Sequence, residues 1–268
     1  MNICLFTHEE INKALPKNDE RAKHIIKVLH KGTGDTFDAG IIGGAAGLAR
    51  ITGISDDGEI SFSFEPKSAG KKLYPLTMII GFPRPIQLRR LLRDVAGLGV
   101  QKVILCGTDL TEKSYLDSNV VNDGSAYQML LDGTAQAAST HVPKLEVAKS
   151  LDELIKGRTS LKKSEQSSDE SCGKSLLSQA DLLEWENSSK IALDNRRSSC
   201  SLHDFLSREG ARSIVAAIGS ERGWTDRERD LLEKAGFTLC SMGSRVLRTE
   251  TAATVAGSII LDSMGFLG

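Results

Sequence analysis

Two arginines and a carboxylate gathered beside a glycine turn are what a site for a polyanion assembles, because guanidinium forks bind phosphates in pairs of parallel hydrogen bonds. The chain has such a group in Ser241–Ala252, where Arg245 and Arg248 bracket Val246 and Leu247 and are followed by Glu250. The bland alternative is that Glu250 sits in the first turn of a helix beginning near Thr249, where the helix dipole favours an acid. A second group is Ile218-Gly219-Ser220-Glu221-Arg222-Gly223-Trp224. Its glycines permit unusual backbone angles, and N–H groups converge where a strand gives way to a helix, so the loop suits a small molecule held by main chain. It lacks the G-x-G-x-x-G of a dinucleotide site. The third group is Arg84, Arg89, Arg90 and Arg93, with no acid before Asp94. On a helix beginning near Gln87, Leu88, Leu91, Leu92 and Val95 form the buried stripe, while Arg89 and Arg93 stand one turn apart on another face. That face is either solvated or in contact with nucleic-acid phosphates.

These groups need elements to position them. From Tyr74 onward, apolar runs alternate with amphipathic ones, the pattern of an α/β domain. The strands expected are Leu76–Phe82, Val100–Cys106, Lys190–Asp194, Ser213–Gly219 and Thr238–Met242. The helices expected are Gln87–Leu98, Ser125–Ser139, Ser150–Lys156, Asp226–Ala235 and Thr249–Met264. Thr225 followed by Glu228 predicts a capping box at the start of the fourth helix. Residues 1–72 differ in texture. Short β-like runs at Thr36–Asp38, Leu48–Ile54 and Glu59–Phe64 are divided by turn signals, with one helix expected over Asp19–Leu29. Gly43–Gly47 has no Gly-Lys-Ser/Thr ending, so it reads as a hairpin tip, not a phosphate cradle. The serine- and charge-rich stretch 157–179 holds few large apolar residues and is expected to be a mobile insertion.

Composition narrows the function classes. Of 268 residues, 40% are hydrophobic and 26% charged, and no apolar run approaches the ~20 residues of a membrane span. Thirty-four basic residues against 35 acidic ones give a net charge of −1, so any nucleic-acid surface must be local. Met1–Glu10 shows no basic segment leading into an apolar one, which makes the cytoplasm the expected compartment. Cys4, Cys106, Cys172, Cys200 and Cys240 form no C-x-x-C pair and the five histidines no metal-binding spacing, so neither zinc nor a disulfide framework is expected.

The run Ile218–Ala252, with its I-G-x-E-x-G-W loop, acidic helix, A-G-F turn and L-R-T-E-T-A segment, resembles the C-terminal signature of the RsmE-type rRNA uridine-N3 methyltransferases of the SPOUT superfamily. The stretch His24–Gly34 is similar to that family's opening domain. The resemblance implies an α/β protein with an N-terminal PUA-like β-barrel (1–72), followed by a SPOUT methyltransferase domain (73–268) ending in a deep trefoil knot, assembled as a homodimer. It implies S-adenosylmethionine as cofactor, no metal, and 16S ribosomal RNA or the small ribosomal subunit as partner. Carried over by position, the cofactor contacts are Leu193 at a strand end; Ile218, Gly219, Glu221 and Gly223 in the second loop; and Met242, Gly243, Val246, Leu247 and Thr251 in the third. Glu250 and Glu221 are both carboxylate candidates for the N3 proton, and Arg245 and Arg248 either stabilise the uridine anion or grip phosphates; Arg248 with Glu250 is the expected catalytic pair, and Arg84, Arg89, Arg93 and Arg245 are the expected RNA contacts.

The chain departs from the commonest pattern in places. Ser220 and Arg222 stand where the family's loop usually has a proline and a glycine. R-P-x-x-L-R-R at Arg84–Arg90 and E-K-S-Y at Glu112–Tyr115 look like those of a divergent branch. The leading reading is an enzyme methylating N3 of a uridine in 16S rRNA. The alternatives are an RNA-binding assembly factor that keeps the fold without catalysis, and a knotted methyltransferase acting on another RNA or atom.

Overall fold

The computed structural model describes residues 1–116, 124–159, 179–210 and 212–268. The chain forms two compact units. The first comprises Met1–Leu73, Leu92–Gly99 and Gln128–Pro143. Its sheet has four strands in the order β1 (Cys4–Phe6), β2 (Thr36–Ile41), β3 (Ala46–Ile54) and β4 (Ile60–Ser68). β1 runs parallel to β2, and the other pairings are antiparallel. Of the hairpin tip expected at Gly43–Gly47, Gly43–Ala45 lies in the turn between β2 and β3, with Gly43 at φ +72° where a left-handed backbone is needed, while Ala46 and Gly47 open β3. Phe6, Phe37, Ile51 and Ile60 fill the core of this sheet. The helix expected over Asp19–Leu29 is α-helical only over Glu20–Lys23 (α1), then widens into a π-type turn over His24–Val28, where Leu29 N–H reaches back five residues to His24 O.

The second unit comprises Tyr74–Leu91, Val100–Tyr127 and Lys144–Gly268. Its sheet is wholly parallel and has seven strands: β5 (Tyr74–Gly81), β6 (Val100–Cys106), β7 (Lys144–Ala148), β8 (Ser189–Leu193), β9 (Cys200–Ser201), β10 (Ile214–Ile218) and β11 (Thr238–Ser241). Their spatial order is β7-β6-β5-β10-β8-β11-β9. The five expected strands are present within a residue or two of their predicted bounds, because buried parallel strands are continuous apolar runs. β7 and β9 escaped prediction. β7 is a partly exposed edge strand with two charged residues, and β9 has only two residues.

The helices, in chain order after α1, are α2 (Pro85–Leu98), α3 (Lys113–Leu116), α4 (Ser125–Gln136), α5 (Leu151–Thr159), α6 (Gln179–Asn187), α7 (Leu202–Arg208), α8 (Asp226–Lys234) and α9 (Thr249–Ser263). α4 stops short of the expected Ser139, and Ala138 takes φ +51° just beyond it. Of the stretch 157–179, residues 157–159 continue α5 and Gln179 opens α6, while the expected insertion between them lies outside the described residues. α6, α7 and the short α3 were not anticipated. The capping box of α8 forms as expected: Glu228 N–H donates to Thr225 Oγ1 at 3.2 Å, and Thr225 N–H donates to Glu228 Oε2 at 2.9 Å. No helix among the described residues is long and apolar enough to cross a membrane.

Candidate active site

Parallel strands all deliver their carboxyl ends to one edge of a sheet, so the loops following them meet there. Three of those loops enclose a cavity of about 340 Å³.

The first loop follows β8. Leu193, Asp194, Asn195 and Arg196 line the cavity. Asp194 sets its shape, accepting from the backbone N–H groups of Arg196 at 2.8 Å and Arg197 at 2.5 Å and from Arg229 Nε at 2.7 Å. Burial pushes the Asp194 carboxyl up, but the Arg197 N–H, the Arg229 guanidinium and the Arg196 N–H outweigh it and hold the group below the usual carboxylate range. The ion pair is enclosed, with side chains 2% and 4% exposed, so it holds the loop to α8 without solvent screening. The buried Trp224 donates from Nε1 to Leu193 O at 3.0 Å, which ties this loop to the next.

The second loop is a tight turn at the end of β10. Gly223 N–H donates to Ser220 O at 2.8 Å, and Gly223 takes φ +74°. The turn is packed down on β5: a Cβ on Gly81 would lie 2.4 Å from Ser220 N. Glu221 and Arg222 occupy its tip, and Arg84 Nε donates to Glu221 Oε2 at 3.0 Å.

The third loop joins β11 to α9. Met242, Gly243, Arg245, Val246 and Leu247 line the cavity, with Thr249 and Ala252 from the first turn of α9. Thr249 Oγ1 lies 3.4 Å from Gly219 O and bridges this loop to the second. Gly243 takes φ +92°. A Cβ built on Gly223 or Gly243 meets no atom within 4 Å, so both peptides stand open to a ligand.

The lining is mixed in character. Leu193, Ile218, Val246 and Leu247 offer apolar walls, the glycines offer bare main chain, and Asp194, Arg196, Glu221, Arg222 and Arg245 offer charge. Flat apolar rings with polar edges and a zwitterionic tail suit such a lining.

A second cavity, of about 270 Å³, adjoins the first and shares Ser220, Glu221 and Arg222 with it. Its other walls include Phe82, Arg84, Asp109, Glu112 and Tyr115. Asp109 is fixed by Arg227 Nη2 at 2.6 Å and Thr225 Oγ1 at 2.8 Å. Among the described residues, no group of three or more His, Cys, Asp or Glu side chains is arranged to hold a metal ion.

Residues 70–261 match the family model described as an RNA methyltransferase domain. The ribosomal RNA small subunit methyltransferase E of Treponema pallidum is 37% identical over 264 residues, spanning 97% of this chain and 91% of the relative. The chain belongs to the ribosomal RNA small subunit methyltransferase E family. Ribosomal RNA small subunit methyltransferase E 1 of Borreliella burgdorferi is 33% identical, with 98% of each chain covered. The same fold is seen in a ribosomal RNA small subunit methyltransferase E from Neisseria gonorrhoeae solved with S-adenosyl methionine. Its TM-score is 0.69 at 19% identity, with 98% of this chain and 97% of that chain covered.

Of the residues expected to hold the cofactor, Leu193, Ile218, Gly219, Glu221, Gly223, Met242, Gly243, Val246 and Leu247 all line the 340 Å³ cavity, whereas Thr251 is exposed on α9 outside it. Arg248 and Glu250, the expected catalytic pair, line neither cavity. Arg248 is the exposed N-cap of α9, and Glu250 is buried beside it at 8% exposure. Thr249 and Ala252 share the cavity face of α9 at i, i+3 spacing, while Glu250 and Thr251 fall on its other faces and Arg248 precedes the helix as an extended, exposed N-cap. The expected RNA contacts are likewise dispersed. Arg84 lines the smaller cavity, Arg245 lines the larger one, Arg89 is exposed, and Arg93 pairs with Asp132 at 3.3 Å. Gly81, Asp194 and Thr249 were missed. The legible signal was Gly81 near the end of an apolar strand, where a glycine marks close backbone approach.

Proposed function

We propose that this chain transfers a methyl group from S-adenosylmethionine to N3 of a uridine in small-subunit ribosomal RNA. The observation that carries the reading is the three-loop cavity at the strand ends in a chain of this family, lined by nine of the ten residues expected for the cofactor. The apolar walls formed by Leu193, Ile218, Val246 and Leu247 suit the adenine, and the open peptides at Gly223 and Gly243 suit its polar edge and the ribose. When bound, the donor supplies an electrophilic methyl carbon on a sulfonium sulfur, and transfer leaves the bond electrons on that sulfur as N3 forms its new bond.

What remains for the protein is alignment and removal of the N3 proton, because an imide nitrogen is not nucleophilic while protonated. Two carboxylates are available near the loops, Glu221 and Glu250. Glu221 lines both cavities and Glu250 neither, so we assign proton acceptance to Glu221 and a structural role at the base of α9 to Glu250. Arg222 and Arg84 line the same cavity as Glu221 and stabilise the negative charge that develops on the uracil ring as its N3 proton passes to Glu221. The reading extends to the N-terminal unit as a PUA-like RNA-binding module, to a trefoil knot in the C-terminal unit, to a homodimer and to a cytoplasmic enzyme.

The test is nucleoside analysis. Small ribosomal subunits lacking the modification, incubated with purified protein and isotopically labelled donor and digested to nucleosides, should yield labelled 3-methyluridine. Label in a different nucleoside would mean another acceptor atom. Absence of label, with RNA still bound, would leave an RNA-binding factor without catalysis.

A further inference from the structure

We infer that the cavity of about 270 Å³ is the acceptor-base site, where Arg84, Glu221 and Tyr115 read the target uracil. The inference rests on the proposed methyl transfer and adds the place where the base is held.

Topology supports it first. β5 and β10 are neighbours in the sheet, although the chain visits β6, β7, β8 and β9 between them. To one side of this seam lie β6 and β7, to the other β8, β11 and β9, so the strand order reverses here. In open parallel sheets, ligands collect outside the carboxyl ends of strands at such a reversal. The cavity is built there, from Phe82 and Arg84 after β5, Asp109 after β6 and Ser220–Arg222 after β10.

Position supports it next. The two cavities share one tight turn, Ser220–Arg222, so ligands on its two sides meet the same carboxylate, Glu221. A methyl donor and a methyl acceptor need this relation, each in its own recess with the reacting atoms converging on one wall.

Chemistry supports it third. The Watson–Crick edge of uracil presents a carbonyl, an N–H and a carbonyl in a row. Its complement is an acceptor flanked by donors, and the Arg84–Glu221 pair sets donor and acceptor side by side at 3.0 Å. The Arg84 side chain is 62% exposed, so it can turn from Glu221 to a carbonyl of an entering base without leaving a buried charge unpaired. Tyr115, whose phenol is raised above its usual range by its hydrogen bond with Glu112, lines the cavity with an uncharged aromatic ring on which a base can stack. Asp109 is engaged by Arg227 and Thr225 and serves as wall. Size agrees as well. A cavity of about 150 Å³ holds a six-membered ring, so this one accepts a pyrimidine with part of its ribose.

R-P-x-x-L-R-R and E-K-S-Y, far apart in sequence, thus acquire a common purpose through Arg84 and Tyr115.

The experiment compares wild type, R84Q and Y115A in single-turnover methylation of small subunits, with S-adenosylhomocysteine affinity measured on the same preparations. It also irradiates donor-analogue-loaded wild type with RNA carrying 4-thiouridine at the methylated position. Each variant should lose roughly 10- to 100-fold in transfer efficiency, as expected for the loss of a charge-assisted hydrogen bond or a stacking platform. Nucleoside-analogue affinity should stay within about twofold of wild type, and the crosslink should fall on Phe82–Arg84 or on Tyr115. Transfer at wild-type efficiency in both variants, or a crosslink confined to other segments, overturns the site while leaving the methyltransferase reading intact. A wild-type chain that binds the analogue but methylates no uridine overturns both.

Discussion

Replacing Glu221 by glutamine should slow methyl transfer by about 10²- to 10⁴-fold at neutral pH, the range lost when a positioned general base is removed. Glutamine keeps the size and hydrogen-bonding reach of the side chain but cannot take up the N3 proton. Donor affinity should therefore change by no more than about threefold. Two comparisons separate this role from a structural one. The deficit should shrink as pH rises, because the solvent then removes the imide proton unaided. Glu250→Gln should cost less than about tenfold in transfer, since Glu250 faces neither cavity. A severe loss in Glu250→Gln with a near-normal Glu221→Gln would return the proton to Glu250. A pH-independent deficit in Glu221→Gln would make Glu221 a packing element of the turn.

Gly81→Ala should be nearly as damaging, for a different reason. Its new methyl group would lie 2.4 Å from Ser220 N, 2.8 Å from Gly219 C and 2.9 Å from Ser220 Cα, all backbone atoms that cannot rotate away. The turn that walls both cavities must move, and a displacement of about 1 Å at reacting atoms costs roughly 10²-fold in rate. Overpacking should also lower stability by about 1–3 kcal/mol in denaturant titrations. Gly97→Ala is the matched control, because a Cβ there meets nothing within 4 Å on a helix, and it should hold or gain about 0.5–1 kcal/mol. A Gly81→Ala protein with wild-type donor affinity and rate would show that the turn does not govern the site.

Much of this arrangement is legible in the sequence. β5, β6 and β10 stand out as apolar runs, since strands buried on both faces need no alternation, while β8 and β11 show only a short apolar centre. The capping box at Thr225 and Glu228 is local chemistry, readable from four residues. Nine of the ten residues that the resemblance assigns to the cofactor line one cavity, because each ends or follows a strand of one parallel sheet. What was not legible depends on non-local order. Nothing in the spacing of Glu221 and Glu250 says which faces a cavity. That is decided by β10 lying beside β5, which brings Arg84 to Glu221, and by the phase of α9, which turns Thr249 and Ala252 to the cavity and Glu250 away from it. Asp194 was equally silent, because its worth comes from Arg229, 35 residues later, and from burial. β7 and β9 were missed because a short or partly exposed edge strand carries too few apolar residues to register.

Whether the three loops hold a methyl donor despite Ser220 and Arg222 is decided by calorimetric titration of the wild-type chain with S-adenosylmethionine. Saturable binding near one donor per chain is expected, weakened in Gly81→Ala and preserved in Glu221→Gln. A folded wild-type protein that takes up no donor at millimolar concentration, with or without ribosomal RNA present, would contradict it.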